Sequence, residues 1–170
     1  MMKIKNWSRG FTLVELLVVV GVLGILAAAI FVTIDPLSQM QKGRDAQRKS
    51  DLAQIQKALE LYYQDFNRYP SHSVGYKIVD SAEIDWGGDF SPYMRKLSKD
   101  PSSNRNYIYN TDNSTRQAFY LYASLERGGK DPQACNPSGT ACPNVPVNVY
   151  CGGTGTFVCN YGVTSTNVLP

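Results

Sequence analysis

From Phe11 to Ile34 apolar residues run almost without a break, 24 positions whose only ionisable side chain is Glu15. A helix of that length spans the roughly 30 Å hydrocarbon core of a bilayer. From Leu37 to Phe66 the pattern changes. Leu52, Ile55, Leu59, Tyr62 and Phe66 recur at spacings of three and four, with Gln54, Lys57 and Glu60 on other faces. This periodicity predicts an amphipathic helix that needs a partner for its apolar stripe. Its N-terminal part, Lys42 to Asp51, mixes both signs of charge. A solvated helix face with local ion pairs is the first reading, and contact with anionic headgroups or adjacent subunits the second. Pro36 marks a bend between the two helical halves. Pro70 ends the second half by disfavouring helical backbone at Tyr69.

The remainder reads as shorter elements. Residues 71–89 form a connecting loop without periodicity. Ser91-Pro92 offers an N-cap and a first-turn proline for a short helix carrying Tyr93, Met94 and Leu97, which Asp100-Pro101 stops. Asn106–Asn110 reads as a strand and Thr111–Ser114 as a turn. Ala118–Leu125 alternates Phe119, Leu121, Ala123 and Leu125 against Tyr120, Tyr122 and Ser124. That is an antiparallel hairpin with one buried face. Val145–Tyr150 and Thr156–Cys159 predict one or two further strands, with Pro146 placing the first at an edge. A long helix packed on a small antiparallel sheet, an α+β fold, buries both apolar faces.

Composition adds a third segment to this picture. The 170 residues carry a net charge of +3, but Lys3, Lys5 and Arg9 all fall in the first ten residues and leave 14 basic against 14 acidic side chains beyond. This basic leader ahead of the apolar run predicts a cytoplasmic N-terminus, with the rest of the chain across the membrane. Ala27-Ala28-Ala29 imitates a signal-peptide cleavage site, and a plain uncleaved anchor is a further reading. One histidine, His72, disfavours histidine metal sites and Ser-His-Asp chemistry. Lys and Arg do not interleave with the tyrosines around the hairpin, so nucleic acid is not an expected partner. No catalytic residue is assigned. Asn113-Ser114-Thr115 matches a glycosylation sequon, a weak signal by itself.

The string Gly10-Phe11-Thr12-Leu13-Val14-Glu15-Leu16-Leu17 resembles the N-terminal signature of type IV pilins and of the pseudopilins of type II secretion systems. Arg68-Tyr69-Pro70 resembles the close of the long helix in major pseudopilins, and the order of short helix, Asp-Pro turn and hairpin resembles their head. The resemblance implies a pilin-like fold with residues 1–10 as leader peptide, 11–35 as the transmembrane or filament-core half-helix, 36–69 as its amphipathic half, and 70–170 as the head. It implies cleavage between Gly10 and Phe11 by a prepilin peptidase and N-methylation of Phe11. It also implies a filament in which Glu15 of one subunit meets the Phe11 amine of a neighbour and fixes register. The implied partners are other copies or minor pilins, the peptidase, the membrane, and an inner-membrane platform with its ATPase. The implied location is the inner membrane first and a periplasmic or extracellular filament afterwards. Gly21 and Gly24 suit close packing in a membrane, and the resemblance suggests a stretch that extends as subunits pack. The family's usual proline falls where this chain has Val32, which leaves the position of any melted section open. A monomeric, membrane-anchored binding module for DNA or an adhesion ligand is the competing reading.

Cys135, Cys142, Cys151 and Cys159 lack zinc-ribbon spacing, and an exported head makes disulfides the better reading. Three pairings are open; the local ones, Cys135 with Cys142 and Cys151 with Cys159, are expected because each staples a short loop. No cofactor is expected. Major pseudopilins often bind calcium in a C-terminal acidic loop, but no acidic residue follows Asp131 here. Calcium through Asp80, Glu83, Asp85 or Asp89 is the secondary reading of acids that read first as solvated loop carboxylates.

Overall fold

The computed structural model describes residues 10–33, 35–153, 155–168 and 170. The leader charges Lys3, Lys5 and Arg9, and Ile34 at the end of the predicted span, lie outside the described residues. The chain divides into two compact units, one ending at Gln39 and one running from Met40 to Pro170.

In the first unit, α1 spans Leu13–Thr33. Its Leu13–Ile30 stretch is long and apolar enough to cross a membrane, and every side chain from Phe11 to Ile30 is exposed. The second helix, α2, spans Pro36–Phe66. Asp35 opens it as an N-cap: the Ser38 N–H donates to Asp35 Oδ1 at 3.3 Å, and Pro36 occupies the first helical position, where no N–H is needed.

The second unit is the α+β head. Leu52, Ile55, Ala58, Leu59 and Tyr62 on α2 are buried against Tyr107, Tyr109, Phe119, Leu121 and Ala123. Phe66, at the end of the predicted stripe, is half exposed and packs its ring on Tyr62 at 4.5 Å. The helix stops where Asn67 takes a positive φ of 50°. A two-stranded hairpin follows, β1 (Ser71–His72) on β2 (Ile78–Val79), within what the sequence presents as a loop. The main sheet is antiparallel, in the order β3 (Ile108–Thr111), β4 (Phe119–Ala123), β5 (Tyr161–Thr164). Ile108 faces Tyr122 across β3 and β4, and Tyr120 faces Thr164 across β4 and β5.

Several expectations change. No helix forms after Ser91. The Ser91 hydroxyl and N–H turn back to Asp89, and Phe90 and Met94 exchange backbone hydrogen bonds at 3.0 and 2.9 Å, closing a turn instead. The Val145–Tyr150 and Thr156–Cys159 strands are absent because their backbone groups are committed elsewhere. Val149 N–H bonds Pro146 and Val145 N–H bonds Cys142, while the Phe157 and Cys159 carbonyls accept from Cys151 and Cys142. The third strand is β5 instead.

The sheet also has two buried faces rather than one. Phe119, Leu121 and Ala123 point to the α2 core. Ile108 and Tyr122, on the other side, are covered by Cys142, Cys151 and Cys159. The sulfurs pair Cys135 with Cys142 and Cys151 with Cys159, across seven and eight positions of sequence. Gly152 permits this approach: its φ is +126°, and a Cβ there would collide with the Asn104 carbonyl.

Candidate processing and assembly site

Gly10, Phe11 and Thr12 precede the first helical turn in non-helical backbone, and Phe11 is 86% exposed. The Gly10–Phe11 peptide bond is therefore presented outside any ladder of hydrogen bonds. Thr12 caps α1. Its hydroxyl accepts from the Glu15 N–H at 3.2 Å, while the Thr12 N–H and hydroxyl donate to Glu15 Oε2 at 2.9 and 2.8 Å. This reciprocal capping box satisfies helix-end donors that would otherwise be left unpaired. It also occupies one carboxylate oxygen of Glu15 and leaves the other without a partner among the described residues. A reading by hydropathy passes over Thr12, although the Thr-x-x-Glu spacing is its signal. Phe11 and Glu15 are thus one turn apart in an exposed segment. In the uncleaved chain the Phe11 nitrogen is an amide, and only cleavage after Gly10 turns it into a cation.

The charged stretch of α2 behaves differently from its expected solvated face. Arg48 is fully buried, and Asp45 and Asp51 are nearly so. All five guanidinium donors of Arg48 are used. Nε and Nη2 reach Asp100 at 2.8 and 3.0 Å, Nη1 reaches Asp45 and Glu126 at 2.8 and 2.9 Å, and Nη2 also reaches Ser102 at 2.8 Å. Burial pulls the Arg48 pKa down, but Asp100 and Glu126 outweigh it and hold the group above its ordinary value. Arg44 grips Glu126 with two bonds of 2.7 and 2.6 Å. Together with Arg48, it lowers the Glu126 pKa to about 2 against the effect of burial. The Tyr107 hydroxyl donates to Asp51 at 2.8 Å. This network ties α2 to three distant segments, and no spacing in the sequence announces those partners.

The acids considered for calcium line an open cavity of about 480 Å³. Each already has a donor. Asp80 accepts from the Tyr62 hydroxyl, Glu83 and Asp85 share the Lys77 ammonium at 2.8 and 2.6 Å, and Asp89 is held by Ser91. Among the described residues no group of three or more metal-ligating side chains converges. The Asn113 side chain of the sequon is engaged with the His72 backbone.

An exposed apolar helix opened by a Thr–Glu cap, followed by a polar helix carrying a small antiparallel head, defines a pilin-like chain. Residues 8–31 match the model described as the prokaryotic N-terminal methylation motif. Residues 36–136 match the model of type II secretion system protein G, and the chain belongs to that family of structural pseudopilins. Similar proteins include the type II secretion system core protein G of Vibrio cholerae, 31% identical over 137 residues that cover 76% of this chain and 90% of that one. The core protein G of Pseudomonas aeruginosa is 34% identical over 139 residues, 76% and 94% of the two chains. That of Escherichia coli is 26% identical over 113 residues, 64% and 77%. No solved structure matches the chain. The family match ends at residue 136, so three of the four cysteines and β5 lie beyond it.

Proposed function

We propose that this chain is a subunit of a type II secretion pseudopilus, cut between Gly10 and Phe11 by a prepilin peptidase, methylated on Phe11, and polymerised through α1. The observation that carries the reading is an apolar helix, exposed at every side chain from Leu13 to Ile30, whose single carboxylate, Glu15, sits in its first turn and keeps one oxygen without a partner among the described residues. Cleavage places a positive amine one turn away on every copy. Between packed helices of low dielectric, an unmatched charge is heavily penalised, so the pairing of Glu15 with a neighbour's amine selects axial register more than it adds cohesion. Apolar side chains supply the cohesion. Transfer from lipid to a helix bundle changes hydrophobic energy little, so packing must be supplemented by work from an inner-membrane platform and its ATPase. The N-terminus stays on the cytoplasmic side, and the head stands across the membrane.

Two measurements test this. Mass spectrometry of the mature chain gives an N-terminus at methylated Phe11. An intact Met1, or a cut after Ala29, overturns the processing step. Glu15→Gln keeps a polar capping partner for Thr12 but removes the charge. It is expected to be processed normally yet to abolish filaments, and an unchanged filament yield returns the chain to a monomeric anchored module.

A further inference from the structure

The head carries two adjoining open cavities, of about 620 and 420 Å³, that share Gly75, Asn106 and Ile108. Both are built from head residues alone, so nothing about them depends on how the chain is anchored or assembled. Tyr76, Asn148 and Tyr150 line the larger cavity, Trp86 lines the smaller, and the exposed Asn106 belongs to both. Tyr107 steadies Trp86 edge-to-face, with ring centroids 5.6 Å apart. The Asn106 and Asn148 amides, the Tyr76 and Tyr150 hydroxyls and the Trp86 indole N–H have no hydrogen-bond partner among the described residues.

The walls that present these groups are held in place. Tyr76 has a positive φ of 56°, an outlier for a bulky residue. Its N–H donates to the Ser73 carbonyl at 2.9 Å, its carbonyl accepts from the Tyr109 N–H at 2.8 Å, and its ring stacks on His72 at 5.6 Å. Asn148 has a φ of 65° in a turn closed by the Val149 N–H on the Pro146 carbonyl at 3.1 Å. The Asn106 N–H donates to the carbonyl of Cys151, which the bridge to Cys159 anchors. Two left-handed side-chain positions fixed around one cavity, with polar groups left over, describe a pre-formed ligand site.

We propose that these cavities bind a neutral oligosaccharide. An extended peptide would need an open sheet edge, but the Tyr109 and Asn106 N–H groups there are already taken. A nucleic acid would need cations, and the Lys77 ammonium is shared by Glu83 and Asp85 at 2.8 and 2.6 Å. That leaves Lys99 as the one lining cation without an acceptor among the described residues, too little charge for a polyanion. Amides and flat rings are the groups left to bind with. An amide brings donors and an acceptor together, the set that neighbouring sugar hydroxyls require. The C–H face of a sugar ring rests on the electron-rich face of an aromatic ring. Tyrosines line one cavity and Trp86 the other, with Asn106 common to both, which suits several linked sugars rather than one.

The test titrates the full-length chain, in a detergent whose headgroup is not a sugar, with cellotetraose and with N-acetylated chitotetraose. Trp7→Phe leaves Trp86 as the only tryptophan, so its fluorescence reports on the site. At least one tetrasaccharide is expected to give a saturable change, and glucose a much weaker one. Tyr150→Ala should weaken binding about tenfold, Tyr150→Phe should restore most of it, and Asn106→Ala should weaken it about fivefold. Lys57→Gln, outside both cavities, should change nothing. No saturable change with either tetrasaccharide, or one that survives both Tyr150→Ala and Asn106→Ala, overturns the site. Glucose binding as tightly as the tetrasaccharides overturns the extended ligand, and Tyr150→Phe binding as poorly as Tyr150→Ala overturns the stacking. A tighter response to heparin, or to an uncharged hexapeptide, gives the cavities to another class of partner and overturns the proposal.

Discussion

Helix α1 carries one ionisable side chain and helix α2 carries charges along much of its length, yet the described side chains of α1, Leu13 to Ile30, are all exposed and α2 holds the core of the head. The contrast shows that hydrophobicity in this chain is spent in two places. On α2 a narrow stripe, Leu52 to Tyr62, closes the head from inside, and fully satisfied charges extend the same interface toward Arg44. On α1 the described apolar side chains are exposed all round, and in the proposed filament they are covered by lipid or by other copies. A polar helix is therefore the one that holds the head together, and the greasy helix the one that the proposed assembly uses.

The largest expected effect comes from breaking the α2 side of this contrast. Arg48→Ala leaves Asp45 and Asp100 buried without their cation and should cost about 3–5 kcal/mol of head stability, read as a fall in the denaturant midpoint. Removing one staple, with Cys151 and Cys159 both changed to Ser, should cost about 2–3 kcal/mol by releasing a short loop, measured the same way under oxidising conditions. Acid provides a third probe. Glu126 titrates near 2 in the head, against roughly 4.3 for an unpaired glutamate, so its stabilisation is complete above about pH 5 and drains away as pH falls toward 2. The melting temperature should drop over that window, and Glu126→Gln should flatten the drop. The smallest effect belongs to α1: Leu23→Ala should move head stability by less than about 0.5 kcal/mol, because Leu23 is 58% exposed and belongs to the unit that ends at Gln39, outside the head. A large shift there would erase the distinction between the two helices.

What the sequence discloses follows from how locally each feature is determined. The spacing of Leu52, Ile55, Leu59 and Tyr62 is set by one helix, and so is the unbroken run from Leu13, hence both are legible. The alternation of Phe119, Leu121 and Ala123 is legible for the same reason. Arg48 is not, because its burial depends on Asp100 and Glu126, 52 and 78 positions away. Tyr122 reads as solvent-facing because the cysteine-rich segment that covers it carries no periodic apolar pattern. Strand β5 escapes notice because its four residues are only half-buried and Gly162 interrupts any alternation. At the assembly end, Glu15 stands out against its apolar surroundings, whereas the Thr12 hydroxyl that holds it is plain only as half of a cap.

Strand β5 and the second staple both arise from residues 151–164. Without those residues, β4 has one open edge and the Ile108–Tyr122 side loses Cys151 and Cys159 from its cover, the kind of surface that recruits foreign strands. A chain lacking residues 151–164, or kept where thiols stay reduced, therefore leaves that edge and that face open to proteases, and the paired strand and closed staple withdraw them.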